Sequence, residues 1–170
     1  MYDIIIIGSG PAGVSAAVYA KRGGANVLVI SKDTGTLGKA KKIENYYGFK
    51  NISGKDLYEN GLKQLENLNI EFVKDEVVQL NYTSQFEVTT VNNIFQAKYV
   101  VLATGVSRNV PNIKGIKEFE GKGVSYCAIC DAFFYRNKDV AVLGSGNYAI
   151  TVEAGKVISV SVTDSGIKKT

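Results

Sequence analysis

The sequence has 170 residues, of which 45% are hydrophobic and 21% are charged, a composition that excludes a disordered chain and allows a buried core. Its 20 Lys and Arg residues and 16 acidic residues give a formal net charge of +4, which permits an anionic cofactor or an acidic partner but is too small to indicate nucleic acid. There is no His for a catalytic triad, no apolar run long enough to span a membrane and no basic signal-peptide start, so we expect a cytoplasmic protein.

The first predicted elements form a strand–turn–helix–strand unit. Residues 4–7 (IIII) are β-branched and predict a strand buried on both faces. The glycine-rich segment 8–13 (GSGPAG) follows directly, and the Ala-rich segment 14–22 predicts a helix that Gly23 and Gly24 end. Residues 26–30 (NVLVI) predict the second strand of the unit.

The glycine turn has a mechanical meaning when it joins a strand to a helix. Gly8 makes the tight turn, Gly10 lets the backbone approach a pyrophosphate, and Gly13 lets the helix pack closely on the strand. The helix N-terminus then offers free N–H groups to the phosphates. Because both flanking elements are present, we favour a dinucleotide site over a glycine-rich turn without a ligand. Pro11 at the fourth place is typical of flavoproteins.

The end of the second strand departs from the usual dinucleotide pattern. An acid normally stands there to bind the ribose hydroxyls. Here Ser31 and Lys32 occupy that place and Asp33 comes slightly later. The adenosine contacts are therefore open between Asp33, Ser31 and the backbone.

The middle of the chain combines a long loop, one helix and three strands. Residues 31–55 have no clear period and are interpreted as a long functional loop, and residues 56–68 predict an amphipathic helix. The residues near one face of that helix are Leu57, Gly61, Leu62, Leu65 and Leu68. Three strands separated by short polar breaks predict an antiparallel meander, at residues 70–80, 85–91 and 94–103. Residues 107–123 are interpreted as a domain junction.

The strand and glycine turn occur a second time. Residues 140–149 (VAVLGSGNYA) align with residues 4–13 (IIIIGSGPAG) and predict a second nucleotide-binding unit whose turn residues are Gly144, Gly146 and Ala149. Ala in the third glycine place is typical of NADP turns, whereas Asp164 at the expected end of the next strand favours NAD. The bulky Tyr148, and a Gly155 that would interrupt the helix, count against a nicotinamide site. The pattern leaves nicotinamide binding at this turn open.

The only two cysteines, Cys127 and Cys130, stand three residues apart. This spacing brings two thiols within disulfide reach, and such a pair can cycle between dithiol and disulfide. Asp131 follows at once and can donate and accept the proton that thiol exchange needs. Half of a zinc site is excluded as an alternative by the lack of further Cys or His ligands. Two buried thiols without a role would require this spacing to arise by accident, so redox use is favoured.

These residues resemble the low-molecular-weight thioredoxin reductases. The matching segments are GSGPAG at 8–13, TLGKAKKIENYYGF at 36–49, ISGKDL at 52–57, LATG at 102–105 and GKGVSYCAICDAFFYRNKDVAVLGSGNYA at 121–149. The resemblance implies an α/β fold with a Rossmann-like FAD-binding domain that includes the three-stranded antiparallel meander, at residues 1–113. It also implies an incomplete second nucleotide-binding-like domain that carries the CxxC pair, at residues 114–170.

The resemblance further implies roles for individual residues. Cys130 would face the flavin, Cys127 would attack the disulfide of a thioredoxin-like partner, and Asp131 would be the acid and base. The residues that would bind FAD are Gly8, Ser9, Gly10, Pro11, Ala12, Gly13, Asp33, Leu37, Asn45, Thr104 and Gly105. The residues that would bind NADPH are Gly144, Gly146 and Ala149. A homodimer and a hinge within residues 105–123 are implied in the same way.

The chain also departs from that family after Ala149. The family continues with a C-terminal part that completes the FAD site with a Gly-Asp motif, and residues 150–170 carry neither this motif nor the basic NADPH-phosphate cluster. We therefore expect a truncated or altered chain end. The electron donor stays open between NADPH, NADH and ferredoxin. The alternatives to a thioredoxin reductase are a related flavoprotein with another disulfide client and a non-catalytic fragment.

Overall fold

The chain divides into two compact units, residues 1–108 and residues 109–170. The computed structural model describes the following residues: 1–106, 110–127, 131–143, 157–163 and 166–169. Neither α-helix in these ranges has both the length and the apolar composition that crossing a membrane requires.

The first unit is built on one mixed sheet of six strands. Its elements are β1 (Tyr2–Ile7), α1 (Pro11–Arg22), β2 (Val27–Ile30), α2 (Gly54–Asn67), β3 (Glu71–Val73), β4 (Val77–Tyr82), β5 (Phe86–Thr90) and β6 (Ile94–Leu102). The strand order is β3-β2-β1-β6-β5-β4. Strands β3, β2, β1 and β6 run parallel, and β6, β5 and β4 are antiparallel. Strand β6 joins the two parts, because Ala97 pairs with Tyr2 of β1 on one side and with Phe86 of β5 on the other.

The predicted β-branched strand is confirmed, and the packing explains its composition. Alternate residues of β1 face opposite sides of the sheet, so that Ile6 packs with Val14 of α1 and Leu65 of α2. Ile5 and Ile7 pack on the opposite side, in a cluster that includes Val88 of the meander. Both faces of the strand are covered, which is why no polar residue alternates with the isoleucines.

Both predicted helices of this unit are confirmed, and each begins slightly earlier than the sequence pattern indicates. Helix α1 begins at Pro11, a residue whose fixed φ suits the first helical position. Helix α2 begins at Gly54 because the hydroxyl of Ser53 accepts a hydrogen bond of 3.1 Å from the backbone N–H of Asp56 and caps the helix. The loop before α2 contains a 3₁₀ turn, Leu37–Lys39, and an antiparallel bridge between Ile43 and Ile52.

The prediction of one strand at residues 70–80 is wrong, because this segment contains β3 and β4. Strand β3 pairs with β2 in parallel and extends the Rossmann-like part of the sheet. The chain then turns at Asp75, whose N–H donates to the carbonyl of Ser31 at the end of β2 over 3.2 Å. The Asp75 carboxylate accepts a hydrogen bond of 3.2 Å from the backbone N–H of Asn92 in the β5–β6 turn. The predicted antiparallel meander is present and consists of β4, β5 and β6.

The second unit contains a three-stranded sheet in the order β7-β8-β9, formed by β7 (Val140–Leu143), β8 (Val157–Thr163) and β9 (Gly166–Lys169). Strand β7 confirms the strand predicted before the second glycine turn, and it pairs with β8 in parallel. Strands β8 and β9 are antiparallel. A 3₁₀ turn, Ala132–Tyr135, precedes β7. Residues 144–149, which carry the predicted second turn, lie outside the described residues.

Candidate functional site

The first glycine turn lies where three parallel strands end. The N–H of Gly8 donates to the carbonyl of Ile30, the last residue of β2, over 2.8 Å. The N–H of Ala103, just after β6, donates to the carbonyl of Ile7 at the end of β1, also over 2.8 Å. Ligands of open α/β sheets bind outside such carboxyl ends. The predicted turn is therefore placed where a nucleotide site is expected.

Two of the three glycines are required by their backbone surroundings. Gly8 has φ +112°, a conformation that other residues rarely adopt, and a Cβ atom there would collide with the carbonyl oxygen of Ala103. A Cβ atom on Gly13 would collide with the carbonyl oxygen of Gly8. These two glycines let the turn, β6 and α1 lie close together.

Gly10 differs from the other two glycines. No described atom lies within 4 Å of the place that a Cβ atom on Gly10 would occupy. Gly10 is also the residue before α1, and among the described residues no side chain caps this helix and no acid stands in its first turn. A helix N-terminus with free N–H groups and an open backbone beside it suits a phosphate. The turn thus fits the pyrophosphate of a dinucleotide cofactor.

A cavity of about 150 Å³ adjoins the turn. Its lining residues are Ser9, Pro11, Val14, Ser15, Leu37, Tyr46, Phe49, Leu57, Tyr58, Asn60, Gly61 and Gln64. The structure therefore brings together three of the residues that the sequence assigned to FAD: Ser9, Pro11 and Leu37. The hydroxyl of Ser9, a residue only 2% exposed, lies 2.9 Å from the hydroxyl of Tyr58 on α2.

The aromatic lining of this cavity was not predicted from the sequence. Tyr58 stands three residues before Gly61 and seven before Leu65, so it shares the apolar face of α2, and this spacing was a usable signal. Tyr46 and Phe49 belong to the long loop, and their rings lie 6.3 Å apart. Their position beside the glycine turn depends on the path of that loop, which has no periodic pattern.

The residues after β2 form a compact turn around Asp33. The Asp33 carboxylate accepts a hydrogen bond of 2.7 Å from the N–H of Gly35, and the hydroxyl of Ser31 donates to the Asp33 carbonyl over 3.1 Å. Lys32 forms a salt bridge with Glu76, with 2.8 Å between Nζ and Oε1. Asp33 and Ser31 thus both remain at the carboxyl end of β2, where adenosine contacts were predicted.

Three further residues assigned to FAD are exposed: Asn45, Thr104 and Gly105. Thr104 and Gly105 follow β6 directly, and Gly105 has φ +70°. Asn45 lies in the loop that the bridge between Ile43 and Ile52 closes, and it does not line the described cavity. These three residues stay predicted ligands.

The second unit holds Cys127 and Asp131 in one turn. The N–H of Asp131 donates to the carbonyl of Cys127 over 2.9 Å. The hydroxyl of Ser125 donates to Oδ2 of Asp131 over 2.5 Å and accepts a hydrogen bond of 3.2 Å from the N–H of Cys127. Cys127 is disulfide-bonded in the structure. The remaining predicted site residues lie outside the described residues: Cys130, Gly144, Gly146 and Ala149.

The first unit has the Rossmann-like α/β fold of a dinucleotide-binding protein. It combines parallel strands, a meander and a glycine turn that fits a pyrophosphate. The family described as pyridine nucleotide-disulphide oxidoreductase matches residues 2–159. The chain belongs to this family.

The curated relatives support the assignment of the chain to this family. A thioredoxin reductase from Ureaplasma parvum is 40% identical over 153 residues, which are 88% of this chain and 50% of the relative. A thioredoxin reductase from Aquifex aeolicus is 40% identical over 155 residues, which are 88% of this chain and 48% of the relative. The chain spans about half the length of these relatives.

Solved structures agree with the curated relatives. The crystal structure of thioredoxin reductase from Streptococcus pyogenes has a TM-score of 0.84 and 37% identity, over 94% of this chain and 55% of that one. A thioredoxin reductase from Giardia duodenalis has a TM-score of 0.83 and 31% identity, over 93% of this chain and 55% of that one. These similarities confirm the predicted fold class and the resemblance to thioredoxin reductases.

Proposed function

We propose that this chain is part of a flavin-dependent disulfide oxidoreductase that reduces a thioredoxin-like protein. The observation that carries the proposal is the turn that joins Cys127 to Asp131. The first unit of the same chain has a glycine turn that suits the pyrophosphate of a dinucleotide. Disulfide exchange requires a cysteine and a group that gives and takes up a proton, and this turn contains both residue types. The similarity to thioredoxin reductases supports the choice of client.

The residues proposed to hold FAD belong to residues 1–113, the proposed FAD domain. The backbone of residues 8–13 would bind the pyrophosphate, and Asp33 would bind the adenosine. Asn45 and residues 104–105 would lie on the flavin side, and Leu37, which lines the cavity beside the glycine turn, would also contact FAD. FAD, when bound, supplies a two-electron carrier between the electron donor and the disulfide.

The thiol chemistry is proposed for residues 114–170. The reduced Cys127 thiolate attacks one sulfur of the client disulfide, forms a mixed disulfide and displaces the other client sulfur as a thiolate. Asp131 takes up the proton of the Cys127 thiol when the thiolate forms and then passes this proton to the leaving client thiolate. Cys130 then attacks the sulfur of Cys127 and displaces the second client sulfur as a thiolate, which takes up the proton that Cys130 has lost, so that the pair is left oxidised. Two electrons and two protons have passed from the pair to the client.

The identity of the electron donor and the oligomeric state are also proposed here. NAD(P)H is supported because the family match extends to residue 159 and so includes the turn with Gly144, Gly146 and Ala149. Ferredoxin, an acidic protein, is supported by the formal net charge of +4 and by the poor nicotinamide pattern of the second glycine turn. A homodimer rests on the resemblance to the family.

The test begins with the intact mass, the visible spectrum and the flavin released on denaturation. We expect a yellow protein that contains FAD and reduces thioredoxin, with NADPH, NADH and reduced ferredoxin supplied separately to identify the donor. Cys127→Ser should abolish turnover, whereas Thr83→Ala, in an exposed hairpin turn of the first unit, should not. A colourless protein without flavin contradicts the FAD assignment, and full activity of Cys127→Ser contradicts the role of the cysteine. Replacing thioredoxin with another disulfide protein separates the client alternatives.

A further inference from the structure

Ser125 connects the two groups that the thiol chemistry needs. Its hydroxyl donates to Oδ2 of Asp131 over 2.5 Å and accepts from the N–H of Cys127 over 3.2 Å. The N–H of Asp131 donates in turn to the carbonyl of Cys127 over 2.9 Å. Two hydrogen bonds therefore link the backbone of the cysteine to the side chain of the aspartate through one serine, and a third joins the two backbones directly.

This arrangement differs from an ordinary serine cap. At the start of α2, Ser53 also donates to a carboxylate, with 2.6 Å to Oδ2 of Asp56, and it accepts from the N–H of the same Asp56. The two bonds of Ser53 therefore serve one residue and begin a helix. Ser125 accepts instead from Cys127 and donates to Asp131, so its two bonds relate two residues of the proposed chemistry to each other.

We propose that Ser125 is a positioning residue, which holds the Asp131 carboxyl group in a fixed place relative to Cys127 so that it can protonate the leaving thiolate of the client. This inference rests on the proposed function. Ser125 forms and breaks no covalent bond in the exchange. At 2.5 Å its hydrogen bond to the Asp131 carboxyl group is at the short end of the range for an O–H donor, and such a bond restrains the side chain. Without it, the carboxyl group is free to adopt other rotamers.

The leaving group of the client disulfide offers a readout that general instability cannot imitate. An alkyl thiolate is strongly basic and leaves slowly unless it is protonated, whereas an aromatic thiolate such as nitrothiobenzoate leaves readily without a proton. A residue that positions the proton donor should therefore affect exchange with bis(2-hydroxyethyl) disulfide and leave exchange with dithiobis(nitrobenzoate) nearly unchanged.

The experiment uses the full chain, reduced with dithiothreitol and freed of reductant, and compares Ser125→Val with Ser125→Thr. Val and Thr have nearly the same shape, but only Thr retains a hydroxyl. We expect Ser125→Val to slow exchange with the alkyl disulfide about three- to tenfold, the scale of one lost hydrogen bond. Ser125→Thr should recover most of the rate, and the aromatic disulfide should react with all three proteins at rates within about twofold. Ser53→Ala is the control for a lost serine–aspartate pair, and it should change neither rate.

The double variant Ser125→Val with Asp131→Asn tests whether the serine acts through the aspartate. We expect Ser125→Val to add no further loss once Asp131 is Asn, because the two residues would act as one unit. An unchanged alkyl rate in Ser125→Val, with a slow rate in Asp131→Asn, overturns the role of Ser125 and leaves the proposed function standing. A normal alkyl rate in Asp131→Asn contradicts the acid role in the proposed function itself. If Ser125→Val slows exchange with the alkyl and the aromatic disulfide equally, this also overturns the inference.

Discussion

The hydroxyl oxygens of Ser9 and Tyr58 lie 2.9 Å apart, although 49 positions separate the two residues in the sequence. Ser9 belongs to the glycine turn and Tyr58 to the second helix, so this hydrogen bond joins the proposed pyrophosphate site to the wall of the adjacent cavity. Either hydroxyl can be the donor. Ser9 is only 2% exposed, so in the absence of Tyr58 water has little access to its hydroxyl.

Removing this hydroxyl contact should lower stability. Tyr58→Phe leaves the buried Ser9 hydroxyl without its partner, at an expected cost of about 1 kcal/mol in the free energy of unfolding. Tyr19→Phe, at an exposed position on the first helix, is the matched control and should have almost no effect. Urea denaturation measures both. Equal stability of the two variants would show that the Ser9–Tyr58 bond contributes nothing.

The three glycines of the turn should respond differently to alanine. Gly13→Ala places a Cβ atom against the carbonyl oxygen of Gly8, and we expect a loss of at least about 2 kcal/mol in the free energy of unfolding. Gly10→Ala meets no described atom within 4 Å, so its stability should stay within about 0.5 kcal/mol of the unmodified chain. The new methyl group should instead obstruct the phosphates. Quenching of flavin fluorescence on FAD binding measures this, and undiminished FAD affinity in Gly10→Ala would place the pyrophosphate elsewhere.

The buried Leu65 should be a large contributor to the first core. It is 1% exposed and packs with Ile6 and Val14 between the helices and the sheet. Leu65→Ala should cost about 2–5 kcal/mol in the free energy of unfolding, from lost burial and the cavity that remains. Leu80→Ala, at a position 39% exposed on β4, is the control and should cost clearly less. Thermal or urea unfolding checks the difference, and similar losses would contradict the description of this core.

Asp75 has surroundings that favour its ionised form. It is 8% exposed, and its pKa is lowered below its ordinary value of 3.8, chiefly by the hydrogen bond from Thr90, with burial acting in the opposite direction. The N–H groups of Glu76 and Asn92 also donate to the carboxylate and lower the pKa. The Thr90 hydroxyl lies near the carbonyl of Asn93 as well, at 3.0 Å, and its one proton serves one acceptor at a time.

This lowered pKa gives a signed prediction for acid stability. A carboxyl group whose pKa is lower in the folded state contributes stability that is complete above the unfolded pKa, near 3.8, and is lost as pH falls through the folded value. The free energy of unfolding should therefore decrease with acidification below about pH 4, and Asp75→Asn should make that decrease shallower. Asp3, whose pKa is lowered mainly by its hydrogen bond with Lys98, should contribute to the slope in the same direction. An identical pH dependence in Asp75→Asn would contradict this account.

Much of the candidate site was predictable because its parts are local in sequence. The strand, turn and helix of residues 4–22 follow from composition and spacing, and the structure confirms them. The start of α2 at Gly54 was also within reach, since Ser53 and Asp56 have the spacing of a capping box. The division of residues 70–80 was not predicted, because their apolar pattern is compatible with one long strand. The hydrogen bonds that break this segment at Asp75 come from distant residues.

The sequence alone determined the first glycine turn and the cysteine pair, because each depends on residues within a few positions of one another, and it determined the family because several such local segments occur in the family's order. Tertiary structure decided that β3 continues the parallel part of the sheet, that Tyr58 contacts Ser9, and which of the turn glycines have no room for a side chain. These relationships join segments that are tens of residues apart. Their geometry depends on the path of the whole chain and on packing against both faces of one sheet, which no local pattern contains.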